Sequence, residues 1–318
     1  MDIRRRALCL GAASAAIVGP ARSTIAAGRE DGAVQAAPSP LPAGAASRFA
    51  RINGMDAHYV IAGSGPLVIL LHGWPQTWFA WSETIRRLSA AYTVVAPDLR
   101  GTGLSERTPE GYDKRTIAED TRALMAHLGV AQAHIVAHDM GGKAAYVLAH
   151  VEPTCVAKLI LVDCLIPGTE NTDALRGGAW HYGFHMAPDV PEMLTEGRER
   201  AYIRAQVRAW SHRKDAISEE AITEYARFYA QPGGMTAGFN FYRALPQDAA
   251  LAASFGDRTL PMPVLTIGGQ HSAGSRLFDA LHGKAPRLTG AIAADSGHFV
   301  AEEVPEVFND LVQRFLAG

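Results

Sequence analysis

Seven short apolar runs, separated by stretches with apolar residues three and four apart, leave few folds open to this chain. The runs His58 to Ala62, Leu67 to Leu71, Thr93 to Pro97, His134 to Ala137, Leu159 to Asp163, Val264 to Ile267 and Ala291 to Ala293 are bounded by Gly, Pro or polar residues, as buried strands should be. Helical spacing fills the gaps at Trp78 to Ala91, Thr116 to Leu128, Gly142 to His150 and Val304 to Phe315. Alternating strands and helices predict an α/β fold, a mostly parallel sheet with helices on both faces. The rhythm stops between residues 166 and 250, which are helical and aromatic with no strand. That interval reads as an inserted helical cap on a core of residues 47–165 and 251–318. Within it, Asp189 before Pro191 is the expected cap of one helix, and Ser218 before Glu219 and Glu220 starts another.

The first 28 residues stand apart. Arg4, Arg5 and Arg6 precede a 13-residue stretch, Ala7 to Gly19, that is small and apolar and much shorter than the ~20 residues of a membrane span. This is the pattern of a signal peptide, so the chain is expected to be exported, by the Sec or the twin-arginine route, to the periplasm or beyond, with no stable membrane anchor. Residues 29–46, rich in Ala, Pro and Gly, read as a flexible linker. Past the signal only Cys155 and Cys164 remain. An apolar run separates them, so a disulfide is not expected and both should be buried thiols. With 48% hydrophobic residues, 19% charged residues and a net charge of −2, the chain has globular composition and no electrostatic footprint for nucleic acid.

The motif that carries chemistry is Ala137-His138-Asp139-Met140-Gly141-Gly142, placed directly after a strand and before a helix. A sharp strand-to-helix turn flanked by small residues exposes one side chain above the strand ends. Here that side chain is Asp139. His72-Gly73-Trp74-Pro75 follows an earlier strand, Pro97-Asp98-Leu99-Arg100-Gly101 follows another, and Ser296-Gly297-His298-Phe299 lies after the last.

Together these motifs resemble the α/β-hydrolase superfamily over essentially all of residues 48–318. The resemblance implies that Asp139 is a nucleophile and His298 a general base, with the backbone N–H groups of Trp74 and Met140 forming an oxyanion hole. It also implies an orienting acid. The usual place for it, after the next-to-last strand, reads Ile267-Gly268-Gly269-Gln270-His271-Ser272 and has no carboxylate. Asp163, at the end of the neighbouring strand, is the expected acid, and Asp295 beside His298 is its competitor.

An aspartate with an ordinary pKa of ~3.9 is already ionised at neutral pH, so it can attack an sp3 carbon without a base. The reactions open to it are epoxide opening and halide displacement. Phe241-Tyr242-Arg243-Ala244-Leu245 and Trp180-His181-Tyr182, with Pro191-Glu192-Met193-Leu194, resemble the cap of epoxide hydrolases, in particular the Cif group of secreted enzymes. That resemblance implies that His181 and Tyr242 serve the epoxide oxygen, that the substrate is a small epoxide, that no metal or cofactor is used, and that the chain forms a homodimer. Two alternatives remain open to the sequence. Fluoroacetate dehalogenases share the strand-end Asp and a His, Trp and Tyr in the cap, but they hold the substrate carboxylate with arginines where this chain has Met140 and Lys143. The second is a noncatalytic secreted binding protein on the same fold. Phe184, Met186, Trp78, Phe79 and Met193 could line an apolar tunnel, though most residues of this kind are simply core.

Overall fold

The computed structural model describes residues 41–176 and 178–318; the expected signal peptide and most of the expected linker lie outside them. Eight strands form one sheet: β1 (Ala46–Ile52), β2 (Met55–Ala62), β3 (Leu67–Leu71), β4 (Thr93–Pro97), β5 (Ala133–His138), β6 (Val156–Val162), β7 (Val264–Gly269) and β8 (Leu288–Ala293). Their order is β1-β2-β4-β3-β5-β6-β7-β8. The pairs β1/β2 and β2/β4 are antiparallel and all others are parallel. Strand β1 was not anticipated from sequence, and it takes up Ala46, the last residue of the expected linker. It is an edge strand whose Arg48 and Arg51 are exposed, so it lacks the apolar run that marks its neighbours.

Three helices join the first strands: α1 (Ser82–Leu88), α2 (Lys114–His127) and α3 (Asp139–Val151). Trp78–Trp81, expected as the start of a long helix, is instead a 3-10 turn before α1. Between β6 and β7 run α4 (Trp180–Met186), α5 (Val190–Thr195), α6 (Glu199–Trp210), α7 (Glu219–Tyr229), α8 (Gly234–Arg243) and α9 (Leu245–Ser254). The chain closes with α10 (Arg276–Leu281), α11 (Val300–Glu303) and α12 (Pro305–Ala317). Ser218 caps α7 by accepting from the Ala221 N–H. Asp189 does not cap α5: its φ is +60° and its side chain makes no capping bond, so Pro191 in the first turn sets that start.

The central strands are buried on both faces, and the two-residue period sorts their side chains. Ile69, Leu71, Val95, Ile135, Leu159 and Leu161 join one core with α2 and α3. Val68, Leu70, Val94, Val136, Ile160 and Val162 join the other, where they meet Ile85, Phe308 and Val312. Cys155 and Cys164 are buried and free. Among the described residues no helix is long and apolar enough to cross a membrane.

Candidate active site

The carboxyl ends of β3, β5, β6, β7 and β8 lie side by side, and parallel pairing puts the residues that follow them on one edge of the sheet. Asp139 follows β5 with φ +47°, a left-handed backbone that lifts its side chain out of the strand–helix path. Close packing makes that turn possible. A Cβ on Gly141 would lie 2.5 Å from the His72 carbonyl oxygen, and one on Gly73 would lie 2.5 Å from the Asp139 Cβ and 2.8 Å from its Oδ2. Through that gap the Trp74 N–H donates to Asp139 Oδ2 at 3.0 Å. Met140 is the next residue, in the first turn of α3.

Asp163 follows β6, also with a left-handed backbone, φ +38°. Its Oδ2 lies 2.7 Å from Nδ1 of His298. The end of β7 and the loop after it, which carries no carboxylate, serve this one instead: Gly269 N–H and Ala273 N–H donate to Asp163 Oδ1 at 2.8 and 3.0 Å, and the Ser272 hydroxyl donates to Oδ2 at 2.6 Å. Asp295 is exposed and its backbone N–H bonds Gln270.

These neighbours set the charges. Burial acts to raise the Asp139 carboxyl, but His298, His138, Lys143 and the Trp74 N–H outweigh it and hold the group below the usual carboxylate range. Burial likewise opposes ionisation of Asp163, and the bond to His298 overcomes it. His298 moves the other way: burial lowers it, and Asp163 followed by Asp139 raises it above an ordinary imidazole.

A cavity of about 410 Å³ opens over Asp139 and His298, and its wall includes His181, Tyr182, Trp210 and Tyr242 from the cap. Burial lowers His181 to about 4, so its ring is neutral at neutral pH. Burial pushes the Tyr242 phenol far above its ordinary value, and Tyr182 to about 12. The cavity therefore sets an anionic oxygen below against neutral N–H and O–H groups above. Arg243, beside Tyr242, grips Glu192 through two bonds of 2.8 and 2.9 Å, which links α8 to α5 and gives the Tyr-Arg and Pro-Glu-Met segments a shared structural purpose.

Other expected residues fall elsewhere. Trp78, Phe79, Phe184, Met186 and Met193 are not in the cavity wall; Met193 is 64% exposed. Trp180 is 56% exposed, whereas Trp210, at the end of α6, packs between His181 and His298 with ring centroids 4.6 and 5.6 Å away. Lys143 reaches the wall but is ion-paired to Glu170 and donates to the Leu165 carbonyl at 2.7 Å. Also unforeseen is a buried chain in which Gln76 bonds His138 at 2.9 Å and Glu302 at 2.5 Å. The loop after β4 is structural, with Asp98 accepting from Trp78 N–H, Leu104 N–H and His58 at 2.7 to 2.9 Å.

A family model described as the alpha/beta hydrolase fold matches residues 66–305. The soluble epoxide hydrolase of Corynebacterium sp. (strain C12) is 37% identical over 279 residues, 84% of this chain and 96% of its own length. The fluoroacetate dehalogenase of Burkholderia sp is 30% identical over 286 residues, 85% of this chain and 93% of its own. The crystal structure of the Cif epoxide hydrolase from Acinetobacter nosocomialis superposes with a TM-score of 0.79 at 22% identity, covering 87% of this chain and 90% of that one. At that identity the likeness is one of fold.

Proposed function

The chain belongs to the alpha/beta hydrolase fold family, and we propose that within it the chain is an epoxide hydrolase that makes vicinal diols through a covalent ester on Asp139. The observation that carries this reading is the pairing, in one cavity, of a carboxylate held ionised with His181 and Tyr242 held neutral and protonated. Oδ2 of Asp139 is engaged by the Trp74 N–H, so Oδ1 attacks a ring carbon. The ring C–O bond breaks, and its oxygen takes a proton from Tyr242 with His181 as the second donor. His298, oriented by Asp163, then removes a proton from water, which attacks the ester carbonyl. The developing charge falls on Oδ2 at the N–H groups of Trp74 and Met140. Collapse breaks the ester C–O bond, the departing glycol oxygen takes the proton held on His298, and the proton of the new carboxylic acid passes to the Tyr242 phenolate, so carboxylate, imidazole and phenol are all restored as the diol leaves.

The relative of 37% identity is named a soluble epoxide hydrolase and supports this substrate class. Halide displacement by Asp139 is the second reading, favoured by the dehalogenase relative. It is weakened by the outward Trp180 and by Lys143, whose charge Glu170 already neutralises. Intact-mass spectrometry of His298→Gln decides between them. An adduct equal to a whole aliphatic epoxide supports the proposal; an adduct equal to haloacetic acid less hydrogen halide replaces it with a dehalogenase. No adduct with either points to a noncatalytic binder. Export and a homodimer belong to the same proposal, tested by the mass and N-terminus of the chain in a cell's exported fraction and by size-exclusion chromatography with light scattering.

A further inference from the structure

His212, His271 and Asp295 come from three separate connections: two residues past α6, just after β7, and just after β8. One ligand atom from each lies within 4.8 Å of the other two, and all three side chains are exposed. No step of the proposed reaction uses them. The two imidazoles are in face-to-face contact, with centroids 3.6 Å apart and planes 10° from parallel. Their backbones are held in place: His212 N–H donates to Glu303 Oε2 at 2.8 Å, His271 N–H to the Ser296 carbonyl at 2.9 Å, and Asp295 N–H to Gln270 Oε1 at 3.1 Å. The ligand atoms, all within 4.8 Å of one another, need to close only to the ~3.4 Å separation that bonds of ~2.1 Å around a tetrahedral ion require, a movement within the range of exposed side-chain rotation.

We propose that His212, His271 and Asp295 form a binding site for a divalent transition-metal cation of the zinc class, one that ties the connection after α6 to the two loops after β7 and β8. Two imidazoles and one carboxylate suit zinc, nickel or copper(II), whereas calcium and magnesium prefer sites made wholly of oxygen. Three protein ligands leave a position for water or an exchangeable group. The site stands at the rim of the cavity, whose wall includes His271. The next residue, Ser272, donates to Asp163, so a bound ion would steady the turn that holds that carboxylate.

The test is equilibrium dialysis of the untagged chain against zinc chloride, with cobalt(II) substitution followed by its visible absorption. One equivalent is expected to bind. His212→Ala, His271→Ala and Asp295→Asn should each weaken binding by at least the ~10-fold that even outer-sphere partners of a metal provide. His298→Gln should bind zinc as tightly as the wild type, which separates this site from the histidines inside the cavity. Circular dichroism establishes that each variant is folded. The proposal is overturned if no saturable equivalent binds, if the three substitutions leave affinity unchanged, or if His298→Gln alone abolishes binding.

Discussion

Asp163 and His298, 135 residues apart in sequence, meet at 2.7 Å through Oδ2 and Nδ1. The same carboxylate receives three further donors from the end of β7 and the loop after it. Asp163 is thus fixed from two directions, and among the described residues none bonds the second nitrogen of the imidazole it touches.

Asp163→Asn should therefore impair ester hydrolysis more than ester formation. Turnover is expected to fall on the order of 10⁴-fold, as for the comparable substitution in serine proteases, while ester on Asp139 accumulates. Rapid-quench mass spectrometry checks this. Loss of the carboxylate also removes the main influence raising His298, so any residual activity should rise with pH at a lower midpoint than in the wild type. An unshifted midpoint would refute the orienting role.

Ring opening should be insensitive to pH across the neutral range, because His181 is neutral above about 4 and Tyr242 stays protonated. Single-turnover ester formation in a His298→Gln background measures it. Tyr242→Phe and His181→Gln should each slow that step, by about 10²–10³-fold for a principal donor. If the double variant loses nothing, neither group serves the oxygen.

Gly73→Ala tests the close approach beneath Asp139. The added methyl would meet the Asp139 side chain at 2.5 to 2.8 Å, displacing the carboxylate from the Trp74 N–H. A shift of ~1 Å in a reacting group is worth about 10²-fold in rate, so kcat should fall by that order, and the overpacking should lower stability by about 1–3 kcal/mol as well. Wild-type kcat would mean the carboxylate does not need this position.

Glu302 supplies a stability prediction. It accepts from Tyr225 at 2.6 Å and from Gln76 at 2.5 Å, yet burial outweighs both bonds and lifts its carboxyl from 4.5 to about 7. A raised folded value means the group's contribution is fully present below pH 4.5 and is lost as pH rises through 7. That span corresponds to about 3 kcal/mol. Urea unfolding of Glu302→Gln should show a flatter decline between those limits and greater stability than the wild type at pH 8; parallel curves would contradict it.

The alternation of strand and helix, the turn that presents Asp139, the HGWP segment and the C-terminal histidine are legible in the chain alone. Each depends on residues adjacent in the chain, where periodicity and small flanking residues act directly. Strand β1 escaped because an edge strand with charged side chains has no apolar run. What depends on neighbours distant in sequence came only with folding. The order β5-β6-β7-β8 brought Asp163 to His298 and turned the carboxylate-free loop after β7 into a set of donors. Folding of the chain between β6 and β7 turned Trp180 outward and put Trp210 beside His181. Glu170 neutralised Lys143, and three loops gathered His212, His271 and Asp295. Local pattern can say that a side chain leaves a strand at a given end, but its charge and protonation depend on which groups the sheet order packs around it.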